Sequence, residues 1–195
     1  MKHIIDRIRK WNSDRQIAEF EQKQSITANL LEELTELYRA KSVDEKIDAF
    51  CDICVFTWGI APYCVDYSNL EDVATYNYRD LLYFVSKYDK TDNAKYLILI
   101  IKIAIKEVVS LGYDFDMAMD ETLKEIESRT GVYSHEKGKF AKDEGAYSRE
   151  SAMDKVGDFK EFRETENAWF FDGRKIAKWY KARYTLAKKG VKNAN

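Results

Sequence analysis

Leu31-Glu32-Glu33-Leu34-Thr35-Glu36 and, after a short break, Glu45-Lys46-Ile47-Asp48-Ala49-Phe50-Cys51-Asp52 are two acidic segments whose reading decides the fold. The second runs into a stretch, Ile47 to Phe56, in which Asp48 and Asp52 are the charged residues and everything else is apolar. A helix that is apolar all round is a buried helix, so the two carboxylates are expected to be buried with it. Ionised carboxylates are almost never buried without a partner. The sequence therefore predicts a bundle of helices with something cationic at its acidic centre.

Helical geometry sharpens this expectation. At about 100° per residue, Asp48 and Asp52 stand about 40° apart, and Glu45 falls on the same arc one turn earlier. On the preceding segment Leu30, Leu31, Leu34, Leu37 and Tyr38 form an apolar stripe, with Glu32, Glu36 and Glu33 as a contiguous arc and Glu33 at the stripe's edge. Two helices joined by a turn near Lys41-Ser42 pack antiparallel. That packing gathers five or six carboxylates at one seam, where repulsion demands compensation. Hard divalent cations with oxygen ligands supply it, and Mg²⁺ keeps waters that can do chemistry. Two plainer readings compete: a solvated face for Glu32 and Glu36, and a buried salt bridge from Asp48 and Asp52 to Lys or Arg of another helix. Di-iron bundles use a Glu-x-x-His motif, and His3 and His135 lie far from both segments.

Working outward, 195 residues that are 45% hydrophobic and 34% charged suit one globular domain with a sizeable core. Pro62 is the single proline, and before Gly131 the glycines are Gly59 and Gly112, both near expected helix ends. A net charge of −2 argues against nucleic-acid or membrane partners. Cys51-x-x-Cys54 has a redox or zinc spacing, yet it sits inside the buried helix without a second ligand pair and reads as core. The apolar run Tyr96 to Ile101 is interrupted by Lys102 and Lys106, far short of a membrane span. With no signal-peptide pattern at Met1-Lys2-His3, a cytoplasmic location is expected.

The periodicity predicts helices at about 14–22, 26–40, 44–60, 69–88, 93–111, 114–128, 149–164 and 173–189. The fold class is all-α: a four-helix core within residues 1–129, with a flap loop and a basic helical extension over 130–195 in the same domain. Leu97, Ile100, Ile101, Ala104, Ile105 and Val108 mark a central packing helix, and Asp114 is an N-cap after the helix-stopping Gly112. Between Thr130 and Ser148, Gly131, Gly138 and Gly145 appear among polar residues, the texture of a surface loop or an active-site cover. From Arg174 onward there are eight basic residues and no acidic one. Trp179, Tyr180 and Tyr184 are interleaved with them. This basic segment is expected to cover the acidic core, the alternatives being a contact to triphosphate oxygens or a nucleic-acid patch.

Glu32-Glu33-x-x-Glu36 followed by Glu45-x-x-Asp48-x-x-x-Asp52 resembles the MazG-like all-α nucleoside triphosphate pyrophosphohydrolases, in particular their small phage and bacterial forms. The likeness extends to Ile8-Arg9-Lys10-Trp11-Asn12, to Glu125-Ile126-Glu127-Ser128-Arg129-x-Gly131, to Gly138-Lys139-Phe140-x-Lys142-Asp143 and to Lys178-Trp179-Tyr180-Lys181-Ala182-Arg183-Tyr184. One departure stands out. Many members carry Glu-x-x-Asp ending at the position of Asp52, where this chain has Ala49 in place of the Glu. Here the motif is Glu45 to Asp48 with Asp52 one turn on, which keeps Asp48 and Asp52 as ligands and sets Glu45 apart.

The resemblance implies hydrolysis of a (deoxy)nucleoside triphosphate between the α and β phosphates, giving monophosphate and pyrophosphate. Mg²⁺, with Mn²⁺ as a substitute, would be held by Glu32, Glu33, Glu36, Asp48 and Asp52. Glu33 is the candidate general base. Trp11 and Asn12 are nominated for the base, against the reading of Trp11 as an N-terminal anchor. Lys102 and Lys106 would meet either phosphates or the acidic seam; Lys124, Arg129, Lys139 and Lys142 are further candidate phosphate contacts. The resemblance also implies a homodimer or homotetramer. A P-loop mechanism is excluded, because no Gly-x-x-x-x-Gly-Lys-Ser/Thr exists. Two other classes stay open: a non-catalytic helical interaction protein whose Asp pair is neutralised by Lys102 or Lys106, and a nucleic-acid-associated protein using the basic C-terminal segment.

Overall fold

The structure is a computed structural model that describes residues 1–15, 17–129, 131–134, 136, 139–142, 162–165, 168–171, 174–175 and 180–190. Its body is all-α. Among the described residues six α-helices follow one another: α1 (Lys2–Asp14), α2 (Glu19–Arg39), α3 (Val43–Trp58), α4 (Leu81–Thr91), α5 (Ala94–Ser110) and α6 (Phe115–Ser128). α3 is the hub and packs on α2, α5, α6 and α1. Ile47, Cys51, Cys54 and Trp58 are fully buried along one face, and Ala49, Phe50, Ile53 and Thr57 extend the buried arc past half of the helix's circumference, which gives α3 room for several neighbours. α5 contributes Leu97, Ile100, Ile101, Ala104 and Val108 to the same core, as its periodicity predicts.

Each boundary of α3 and α6 has a local cause. Ser42 caps α3 by accepting from Glu45 N at 3.1 Å, and Glu45 Oε2 accepts in return from Ser42 N at 3.3 Å. This is a reciprocal capping box. Gly112 turns the chain in the left-handed region, with φ of 87°. Asp114 Oδ1 then accepts from Met117 N at 3.0 Å and starts α6, the cap expected of it.

Four expectations about elements are corrected. The separate helices at 14–22 and 26–40 are one helix, α2, and Lys2–Asp14 is a helix of its own. α1 docks on α6 and α3 through Ile4, Ile5 and Ile8. The helix expected at 69–88 is shortened to α4, preceded by 3₁₀ turns at Glu71–Val73 and Tyr78–Asp80. Side-chain oxygens of Asn69 and Asn77 capture the N–H groups of Glu71 and Arg79 at 3.0 and 2.9 Å, which favours turns over helix there. On α2, Leu31 and Tyr38 are 42% and 53% exposed, so the buried stripe is Ile26, Leu30, Leu34 and Leu37.

The last correction concerns the C-terminal extension. Where helices were expected at 149–164 and 173–189, the described residues form strands and a single 3₁₀ turn at Tyr184–Ala187; 149–161 lie outside the described residues. Before them, β1 (Gly131–Ser134) pairs antiparallel with β2 (Lys139–Lys142), Gly131 opposite Lys142. β3 (Phe162–Thr165) and β4 (Ala168–Phe171) are antiparallel, and β5 (Arg174–Lys175) adds to β4. Aromatic residues such as Trp169, Phe170 and Phe171 suit a pleated strand. Around 180–184 the reason is explicit. The N–H groups of Tyr180, Ala182 and Arg183 donate to Ser128 Oγ, Glu125 Oε2 and Glu121 Oε2, so they cannot close helical turns.

Candidate functional site

The α2–α3 pair builds an acidic seam around Glu33. Glu33 lies three residues after Leu30 and four before Leu37, at a position of the buried stripe where a hydrophobic side chain would ordinarily stand. It is 7% exposed. Its Oε2 is buried and has no hydrogen-bond partner. Burial first, and then the charges of Asp52, Glu36, Asp48 and Glu32, push its carboxyl up to about 9. The four other carboxylates named from the sequence therefore all act on Glu33. The burial is distributed differently from the expectation: Glu33 is the buried member, Asp48 and Asp52 are half-buried, and Glu32 and Glu36 are exposed on the outer face of α2.

Cationic compensation comes from α6. Arg129, at the end of that helix, feels burial pulling its guanidinium down, but Asp52, Glu125 and Asp48 together hold it above its ordinary value. Its Nη2 lies 3.4 Å from Glu125 Oε1. Asp48 Oδ1 also accepts from the Tyr184 hydroxyl at 2.5 Å. Lys102 and Lys106 are not the partners of the Asp pair. Lys102 Nζ binds both oxygens of Asp72, at 3.1 and 3.0 Å, and Lys106 Nζ donates to the carbonyl of Tyr76. Both lysines tie down the connection between α3 and α4, because α5 presents them to that side.

The remaining nominated residues fall in three places. Glu45 is spent on the α3 cap and exposed there, away from the seam's buried member. Trp11 donates from Nε1 to the carbonyl of Ile126 at 3.1 Å beneath the Arg15 guanidinium, and Asn12 Nδ2 donates to Gln22 Oε1 at 2.9 Å. Both thus anchor α1. Lys124 pairs with Asp120 and Glu121 on its own helix. The side chains of Lys139 and Lys142 lie outside the described residues. Cys51 and Cys54 are buried core thiols, held well above the ordinary thiol range first by burial.

Two functional-looking carboxylates were not among the nominated site residues, although Glu125 opens the Glu125–Gly131 stretch quoted for the resemblance. Glu121 and Glu125, one turn apart on α6, are buried and receive the C-terminal segment: Glu121 from Tyr180 and Arg183, Glu125 from Ala182. Their signal was legible in principle, since both sit among Ala118, Thr122 and Ile126 on the buried side of α6.

The donor chemistry of the seam fits a hard divalent cation. Every candidate donor is a carboxylate oxygen, and the buried, unpartnered oxygen of Glu33 is an acceptor in need of a positive group. Among the described residues, however, no three Asp, Glu, His or Cys side chains converge tightly enough to hold a metal ion as they stand. The arrangement is a cluster of interacting carboxylates rather than a closed cage. Among the described residues no helix is long and apolar enough to cross a membrane. No family model matches this chain, and neither a curated protein nor a solved structure matches it.

Proposed function

We propose that this chain is a metal-dependent pyrophosphohydrolase of nucleoside triphosphates, of the MazG-like all-α type that its acidic motifs resemble. The observation that carries the reading is Glu33: a carboxyl at a core position of α2, with one oxygen unpartnered and four other carboxylates acting on it. Such a site is costly unless it serves a cation. Glu32, Glu33, Glu36, Asp48 and Asp52 would hold Mg²⁺ or Mn²⁺, which when bound would neutralise phosphate charge and supply an acidified water. Glu33, buried at the centre of the seam with one oxygen unpartnered, would take the proton from the water attacking the α phosphorus once a bound cation keeps its carboxyl ionised. Arg129 would keep the seam compact while empty and meet phosphate charge when the substrate enters.

A second reading is favoured by one observation. Arg129 and Tyr184 already compensate Asp48 and Asp52, which would suffice for a non-catalytic helical interaction protein. A panel of ribo- and deoxyribonucleoside triphosphates, assayed for pyrophosphate with Mg²⁺, with Mn²⁺ and with EDTA, separates the two. Metal-dependent pyrophosphate with monophosphate as co-product is expected. Silence across the panel from folded protein would sink the hydrolase reading and leave the interaction protein.

A further inference from the structure

The last described residues reach the acidic seam through one side chain. Tyr184, on the 3₁₀ turn Tyr184–Ala187, is 5% exposed. Its hydroxyl donates to Asp48 Oδ1 at 2.5 Å, and Thr122 Oγ1 lies 2.9 Å from the same phenolic oxygen. An ionised carboxylate only accepts. The Tyr184 proton therefore points to Asp48, while the Thr122 hydroxyl, which donates to the Ala118 carbonyl at 3.1 Å, packs against the far side of the phenolic oxygen. Burial, with Cys51, Asp48 and Asp52 nearby, holds the phenol far above its ordinary range, so it remains a donor.

The phenol is placed by bonds on both sides of it. Upstream, Tyr180 donates to Glu121, Ala182 N to Glu125 Oε2 at 2.6 Å and Arg183 N to Glu121 Oε2 at 3.0 Å. Downstream, Asp114 N donates to the carbonyl of Ala187 at 2.7 Å and Lys189 N to that of Gly112 at 2.9 Å. The segment is thus clamped along α6 and at its start, with Tyr184 as the residue that reaches through to α3.

We propose that Tyr184 is a positioning residue of the acidic seam: it fixes one oxygen of Asp48 so that the carboxylate presents its remaining lone pairs to a divalent cation. The inference rests on the metal-dependent reading above and extends the site to the far end of the chain. Partners that hydrogen-bond a metal ligand orient it, and losing one costs about 10–100-fold in affinity.

The test is Mn²⁺ binding to the full chain, followed by isothermal titration calorimetry, with pyrophosphate release measured in parallel. Tyr184→Phe should weaken Mn²⁺ binding about 10–100-fold. In an Asp48→Asn background the same change should have no further effect. Tyr113→Phe, which removes a hydrogen bond to Asp44 from the neighbouring turn, should leave Mn²⁺ affinity unchanged. Circular dichroism verifies the fold of each variant. If Tyr184→Phe fails to fold, Thr122→Val, which removes the hydroxyl packed 2.9 Å from the phenolic oxygen, should weaken binding in the same direction. Unchanged or tighter Mn²⁺ binding by a folded Tyr184→Phe (or by Thr122→Val, if that variant has to stand in) overturns the role of Tyr184 while the wild type still binds and turns over. A wild-type chain that neither binds Mn²⁺ nor releases pyrophosphate overturns the hydrolase reading itself, and the Tyr184 role with it.

Discussion

Arg7 and Glu127 meet fork to fork: Arg7 Nε lies 2.8 Å from Glu127 Oε1, and Nη2 lies 2.9 Å from Oε2. The third arm, Nη1, reaches Asp120 Oδ1 at 2.7 Å. Two carboxylates two turns apart on the same face of α6 thus grip a single residue of α1. Bidentate guanidinium–carboxylate pairs are the strong members of their class. Arg7→Ala should lower stability by about 2 kcal/mol, and Arg7→Lys should recover part of it, since an ammonium cannot reproduce the fork. Urea denaturation checks both. Equal stability of all three chains would mean that α1 is held without Arg7, by Ile4, Ile5 and Ile8 and the bonds of Trp11 and Asn12.

Glu45 separates capping from catalysis. Its carboxylate completes the Ser42 capping box, so Glu45→Ala should cost about 1 kcal/mol of stability and leave pyrophosphate release unchanged. Loss of turnover with unchanged stability would return Glu45 to the metal-binding set.

Glu33 predicts a pH dependence whose sign can be worked out. Its folded-state pKa, about 9, stands above the ordinary value of 4.5. The folded chain therefore holds a proton that the unfolded chain releases, and stability from this group falls as pH rises from about 4.5 to about 9. The metal-free protein should unfold at a progressively lower temperature between pH 5 and pH 8, the slope per pH unit approaching about 1.4 kcal/mol. Glu33→Gln should flatten that slope. A slope unchanged by the substitution would assign it to another group.

Lys102 is buried, but its partner Asp72 is half exposed. Lys102→Met keeps most of the volume and lets Asp72 return to water, so stability should change by less than about 1.5 kcal/mol. The KM for any triphosphate substrate should be unaffected, because the Lys102 ammonium points to the connection before α4. A several-fold rise in KM would place that ammonium against phosphate after all.

The hub helix and the central helix were legible because their patterns leave little choice: from Ile47 to Phe56 every residue of α3 but Asp48 and Asp52 is apolar, and Leu97 to Val108 repeat at helical spacing along α5. The identity of the seam's charged members was legible for the same reason. Their distribution was not. Glu33 looked like it lay just outside the edge of a stripe that counted Leu31 and Tyr38, and replacing those two by Ile26 moves the stripe's axis towards Glu33, which then flanks Ile26. The counter-charge was misassigned because Lys102 and Lys106 stand on an apolar helix, whereas Arg129 reaches Asp48 and Asp52 from the helix end, a relationship that periodicity does not encode. The fate of Tyr180 to Ala187 was equally hidden, since Glu121 and Glu125 take the N–H groups that a helix would need.

The Tyr184–Asp48 bond joins residues 136 positions apart, and this has a kinetic side. Closing so long a loop carries an entropic cost that local helix contacts do not. The helices from Glu19 to Ser110 can assemble from neighbouring pieces, but Asp48 waits for Tyr184. On a ribosome, where folding proceeds from the N-terminus, the bundle would form first and its acidic centre would be the last part to mature. A nascent chain halted before Tyr184 would carry the whole helical body with Asp48 still lacking that phenol.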